Sequence, residues 1–117
     1  MSLQTELEEG LAEAESLHQR GDLVGAVRLL VELSRRGQLF EESAALFLEL
    51  GIILYELKFY ERSVTAFRRV TRIDSTHANA FLRLGAAQHF SGDLTGACAS
   101  YERCVELNPK SFAAFMN

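Results

Sequence analysis

The sequence has a single proline and two cysteines, and it contains no long tract of glycine or serine. Together with 48% hydrophobic and 24% charged residues, these shortages exclude a collagen-like chain, a flexible linker and an intrinsically disordered segment. No uninterrupted apolar stretch approaches the ~18 to 20 residues that a membrane span needs. A chain of 117 residues can bury one continuous core, so we predict a single domain without membrane insertion.

The chain also lacks an excess of basic residues, since 12 Lys and Arg stand against 16 Asp and Glu and give a formal net charge of -4. Domains that bind nucleic acid usually carry a net basic footprint, so we predict that this chain does not bind nucleic acid. One local basic cluster is interpreted as the solvated face of a helix, because its spacing is helical and Glu61 lies beside it. Its members are Arg62, Arg68, Arg69 and Arg72.

The N-terminal residues show neither the basic region nor the apolar region of a secretory signal peptide. Cys98 and Cys104 lie on one predicted helix, roughly 9 Å apart along its axis at ~1.5 Å per residue, which is too far for a disulfide between them. We interpret both as reduced core residues. This interpretation favours a reducing compartment such as the cytoplasm.

A shift of 34 residues aligns one part of the chain with the next without a gap. The aligned pairs include Phe47 with Phe81, Leu50 with Leu84, Gly51 with Gly85, Phe67 with Tyr101 and Arg69 with Arg103. A weaker copy lies upstream, and an insertion near residues 35–42 offsets it from the later units. Within each unit the apolar residues recur every three or four positions, which is typical of one face of a helix, and strand-like alternation is absent.

We predict helices at about 3–19, 22–35, 40–57, 60–73, 77–90 and 94–107, and a fragment of another from 111, with boundaries good to ~2 to 4 residues. Several short polar residues are expected to cap the helices that follow them: Asp22, Ser75, Thr76, Asp93 and Ser111. Because short links make consecutive helices antiparallel, the predicted fold is all-α, with helical hairpins that bury their apolar faces by stacking.

The repeat resembles that of the tetratricopeptide repeat family, whose unit favours an aromatic residue, Leu-Gly, a small residue, an aromatic residue, another small residue and a proline. The third unit supplies Phe81, Leu84, Gly85, Ala97, Tyr101, Cys104 and Pro109; the second supplies Phe47, Leu50, Gly51, Ser63, Phe67, Val70 and Ser75. The first unit departs from the pattern, with Gly10 in place of the aromatic residue and Glu13 and Ala14 in place of Leu-Gly.

The resemblance implies a right-handed α-solenoid, with repeats at about 7–43, 44–77 and 78–111 and the start of a further repeat at 112–117. It also implies a concave groove lined by the first helix of each hairpin. The groove positions carried over are Leu11, Glu15 and His18; Leu48, Ile52 and Tyr55; and Asn79, Leu82 and His89. Tyr55 and His89 are the strongest candidates, because each joins apolar area to a polar tip. Leu48, Ile52 and Leu82 are equally well explained by packing between repeats, and that alternative stays open.

We therefore predict a scaffold or adaptor that binds a peptide or helix of another protein in the groove. The alternative is a targeting or regulatory segment of a larger enzyme or of a secretion-type chaperone. The family also includes chaperone adaptors, which hold the C-terminal carboxylate of a partner with Lys and Asn side chains on these helices. Here Leu11, Glu15 and Asn79 replace such residues, and only Arg83 fits, so a heat-shock-tail adaptor is not expected.

We predict no enzyme activity, cofactor or metal site, because the histidines and cysteines lack the spacing of metal ligands or of a nucleophile with its base. We also expect the sequence to be cut from a longer protein, since the repeat pattern continues to the last residues. Phe112, Phe115 and Met116 would then lack a second helix to cover them, which predicts a homodimer through this end.

Overall fold

The computed structural model describes residues 2–110, and within this range the chain forms helices joined by short turns. The helices are α1 Leu3–Gln19, α2 Leu23–Ser34, α3 Gln38–Glu41, α4 Ala44–Glu56, α5 Tyr60–Ile73, α6 Ala78–Ser91 and α7 Leu94–Leu107. Three hairpins pair α1 with α2, α4 with α5 and α6 with α7, and contacts of α2 with α4 and of α5 with α6 stack them in chain order. The predicted all-α architecture of stacked hairpins is confirmed.

Side-chain caps define where several helices begin. Two aspartates cap the following helix as predicted, each through a carboxylate oxygen 2.9 Å from the backbone nitrogen three residues on: Asp22 and Asp93. The prediction for α6 was wrong. Its cap is His77, whose Nδ1 accepts a hydrogen bond from the N–H three residues on, at 3.1 Å. Thr76 instead donates its N–H and hydroxyl to the carboxylate of Asp74 in the preceding turn.

The insertion in the first unit forms the short helix α3 instead of the start of a longer one. The helix predicted at about 40–57 is found, but it begins later, at Ala44, after a cap by the Ser43 hydroxyl. Phe40 of α3 is fully buried in the core that the first hairpin shares with α4. The extra residues thus add an aromatic ring to the core.

The repeat is visible in how closely the two helices of a hairpin approach each other. In the second and third hairpins a glycine faces a ring so closely that an added Cβ would clash with it: Gly51 with Phe67 at 2.6 Å and Gly85 with Tyr101 at 2.7 Å. The first hairpin has Ala14 and Leu30 at the corresponding positions, and both are fully buried. Glycine with an aromatic residue, or alanine with leucine, fills the same space.

The interpretation of both cysteines as core residues was half wrong, because Cys104 is buried whereas Cys98 is exposed. Burial raises the pKa of the Cys104 thiol. Among the described residues no helix combines the length and the apolar character needed to cross a membrane. The expected cap at Ser111, the start of a further repeat at 112–117 and the homodimer surface at Phe112, Phe115 and Met116 lie outside the described residues.

Candidate functional site

The first helices of the three hairpins, α1, α4 and α6, form one surface, which we call the inner face. Side chains of α1 and α4 meet across one cavity, and side chains of α4 and α6 meet across another. A hydrogen-bonded histidine on α1 also joins α1 to α4. The inner face is the surface that the sequence assigned to the groove.

Between α4 and α6 lies a cavity of about 260 Å³, which we call the apolar pocket. Its lining residues are Tyr55, Phe67, Asn79, Leu82, Arg83 and Ala86. Phe67 reaches the pocket from α5, behind the two first helices. The polar lining residues are partnered with each other, because Arg83 Nε donates to Asn79 Oδ1 at 2.7 Å. An apolar cavity with a few polar groups is typical of a site that accepts an apolar side chain and orients it by hydrogen bonds.

A second cavity of about 360 Å³ lies between α1 and α4, and we call it the acidic hollow. It is lined by Glu8, Leu11, Ala12, Glu15, Ala45 and Glu49. Helices α1 and α4 together contain seven glutamates and neither lysine nor arginine. No lysine or arginine of these two helices therefore neutralises the carboxylates of the hollow.

His18 stands beside the acidic hollow with its ring between two carboxylates of α4. Its Nδ1 lies 3.0 Å from Glu49 Oε1 and its Nε2 lies 2.7 Å from Glu56 Oε2. Partial burial of the ring disfavours its charged form, but the hydrogen bonds and negative charges of Glu56 and Glu49 outweigh burial and raise the pKa of His18 above its ordinary 6.5. Since a protonated ring donates from both nitrogens, it pairs with both carboxylates at once.

An aromatic cluster continues the apolar pocket towards the turn between α4 and α5. The Tyr55 ring packs edge-on against Tyr60 at 5.4 Å and against Phe90 at 5.9 Å, and the last two rings stack at 5.2 Å. Burial, and to a lesser extent Tyr60, raises the pKa of the Tyr55 phenol, so the hydroxyl stays protonated and able to donate. Phe90 remains 57% exposed, which leaves part of the cluster open to a ligand.

Residues 78–111 match the sequence profile of the tetratricopeptide repeat family. Solved structures extend this likeness to the whole fold. The chain superposes with a TM-score of 0.85 on the second tetratricopeptide domain of human RPAP3 in complex with an HSP70 peptide, at 17% identity over 93% of this chain and 88% of that one. The chain folds as a tetratricopeptide repeat protein.

Two other tetratricopeptide structures differ in how much of their length this chain spans. It superposes on PcrH in complex with the chaperone binding region of PopB with a TM-score of 0.84, at 22% identity over 97% of this chain and 93% of that one. It superposes on MamA with a TM-score of 0.81, at 19% identity over 88% of this chain, and spans only 58% of MamA's length. At such identities the likeness is one of fold. No protein of curated function matches the chain in sequence.

The structure places the predicted groove residues in several environments. The acidic hollow contains Leu11 and Glu15, with His18 beside it; the apolar pocket contains Tyr55, Asn79 and Leu82. Leu48 and Ile52 are half-buried against the core between the second and third hairpins, as the packing alternative expects. His89 is exposed and lies edge-on to Phe90, outside both cavities. A binding role for these nine residues stays a prediction.

Two aromatic residues of α5 that the sequence did not assign to the site belong to its geometry. Phe67 matches the aromatic position of a second helix, which the resemblance assigns to the hairpin core, yet its ring also lines the apolar pocket. Tyr60 joins the aromatic cluster from the start of α5. The repeat pattern gave no signal for either, because it separates first helices from second helices by face.

Proposed function

We propose that the chain is a protein-interaction module that holds a peptide or helix of a partner protein on its inner face, as a scaffold or adaptor without catalytic activity of its own. The observation that carries this proposal is the apolar pocket, a formed cavity lined by the ring of Tyr55 and by Leu82, with Asn79 and Arg83 supplying polar groups beside them. Such a site accepts an apolar anchor and binds the adjoining backbone of the partner through hydrogen bonds.

The relatives of known structure support a peptide as the occupant. The RPAP3 domain is bound to an HSP70 peptide and PcrH to a region of PopB, and both match nearly the whole of this chain in fold. The match with PcrH also favours a second candidate, in which the inner face of this chain holds a segment of a client protein as a secretion-type chaperone does. The regulatory segment of a larger enzyme and the cytoplasmic location stay predictions of the sequence.

The test begins with short random peptides displayed on phage and selected on the immobilised chain. The affinity of each selected peptide is then measured by fluorescence anisotropy for the native chain and for two variants. Ala86→Phe places a ring in the apolar pocket from its half-buried wall, whereas Ala99→Phe adds the same ring at an exposed position on α7.

Peptides that use the pocket lose about tenfold or more in affinity for Ala86→Phe, equivalent to about 1.4 kcal/mol, and bind Ala99→Phe like the native chain. Circular dichroism verifies that both variants are folded. The proposal is overturned if the selection yields no peptide whose affinity depends on the pocket.

A further inference from the structure

Two carboxylates of α4 already hold one imidazole ring on the inner face. Glu49 and Glu56 bind the two ring nitrogens of His18, and the acidic hollow adjoins them at Glu49. Histidine is the only side chain that pairs with these two glutamates among the ion pairs of the described residues. The inner face therefore has more negative charge than its own cations neutralise.

The charge of the inner face changes from negative to positive in the order α1, α4, α6. Glu8, Glu15, Glu49 and Glu56 lie at the end formed by α1 and α4. The apolar pocket follows between α4 and α6, and Arg83 lines it from α6, the wall farther from α1. A ligand that crosses the inner face thus meets carboxylates first, then apolar surface, then a guanidinium.

We propose that the occupant of the inner face is a basic and apolar peptide segment, whose lysine or arginine enters the acidic hollow while a neighbouring leucine or aromatic side chain fills the apolar pocket. This rests on the proposed function and adds the chemistry of the partner. Charge complementarity carries the choice, because an acidic peptide placed there would bring like charges together and lose affinity.

The helix geometry sets the spacing between the two anchors. Glu49 of the hollow and Tyr55 of the pocket are six residues apart on α4, which is roughly 9 Å along the axis at ~1.5 Å per residue. The hollow and the pocket also lie on opposite sides of α4, which adds an offset of about one helix packing distance, ~8 to 10 Å, so the two anchors are roughly 13 Å apart. An extended peptide covers roughly 13 Å in about four residues and a helix in about nine. The basic and apolar residues of the partner should therefore be separated by one of these spacings.

The probes are synthetic peptides with one leucine or phenylalanine and, at each of these spacings on either side, an arginine, a glutamine or a glutamate. Affinities are measured by anisotropy for the native chain at low and high sodium chloride. One double variant, Glu8→Gln with Glu15→Gln, removes charge from the hollow. A matched one, Glu61→Gln with Glu102→Gln, removes the same charge from exposed positions on α5 and α7.

The arginine peptides should bind best, and their affinity should fall with salt and drop about fivefold in the hollow variant while staying unchanged in the matched variant. An arginine peptide without the apolar residue should bind more weakly. This comparison distinguishes binding at both anchors from nonspecific electrostatic attraction of a basic peptide.

The inference is wrong if glutamate or glutamine peptides bind as tightly as arginine peptides, or if both double variants lower the affinity equally. If the peptides that bind in either case still lose affinity for Ala86→Phe, the proposed function stands and only the proposed chemistry of the partner is overturned. When no peptide depends on the pocket, both fail.

Discussion

Replacing Gly51 with alanine perturbs the closest approach between the two helices of the second hairpin. The new Cβ would lie 2.6, 2.7 and 2.9 Å from three ring atoms of Phe67. Carbon atoms in favourable contact are ~3.5 to 4.0 Å apart, so the ring must move by about 1 Å. Phe67 is only 1% exposed and packs against Val64, Leu84 and Ala87, which restricts that movement.

Two opposing effects determine how much Gly51→Ala changes the free energy of unfolding. Overpacking a filled core costs about 1 to 3 kcal/mol, and three simultaneous short contacts place this clash in the upper part of that range. Alanine is favoured over glycine inside a helix by about 1 kcal/mol, which offsets part of the cost. Gly51→Ala should therefore lower the free energy of unfolding by about 1 to 2 kcal/mol.

The first hairpin supplies the matched control, because Ala14 and Leu30 occupy the corresponding positions there and both are fully buried. In a Phe67→Leu background the ring is gone, so Gly51→Ala should be neutral or stabilise the chain by up to about 1 kcal/mol through helix propensity. The coupling between the two substitutions is then about 1 to 3 kcal/mol.

The assay is urea unfolding followed by circular dichroism for the native chain, the two single variants and the double variant. The reasoning is refuted if Gly51→Ala has the same effect with phenylalanine and with leucine at position 67, because a change independent of the ring cannot come from a clash with it.

Three further substitutions test other parts of the structure. Phe40→Ala should lower the free energy of unfolding by about 3 to 5 kcal/mol in urea titrations, since the ring is fully buried. A loss of under about 1 kcal/mol would contradict the placement of α3 in the core. Ser63→Ala should cost only about 1 kcal/mol, because it removes one buried hydrogen bond from the hydroxyl to the Gly51 carbonyl, and a larger loss in the same titration would contradict this. The raised pKa of His18 means that its ion pairs stabilise the fold fully below pH 6.5 and less as the pH rises through the folded-state pKa. The stability difference between native and His18→Gln should accordingly be largest below pH 6.5, at about 1 kcal/mol, and shrink as the pH rises; a difference independent of pH would contradict the pairing.

The success and failure of the sequence-based predictions have separate physical causes. Asp22 and Asp93 were identified correctly as caps because a cap depends on the backbone three residues away. Phe40 was placed at the start of the wrong helix because nothing local shows that an insertion folds back into the core. Cys98 was misplaced because helical spacing alone does not say which side of the last hairpin is covered.

The predictions for the inner face also succeeded in part and failed in part. The resemblance placed Leu11 and Glu15, with Tyr55 and Leu82, on one surface, and the structure brings them to two cavities of that surface. Phe67 was missed as a pocket residue, because its ring serves the hairpin core and the cavity at once.

The sequence by itself determined the helices, the hairpins and the glycine and aromatic positions that recur after 34 residues, since each of these depends on neighbours within one repeat. Only the tertiary structure decided that His18 meets Glu49 and Glu56, which lie 31 and 38 residues along the chain. Side chains of successive hairpins meet according to the angle and offset of their stacking. All the residues packed between the hairpins set that geometry jointly, so no single repeat contains it.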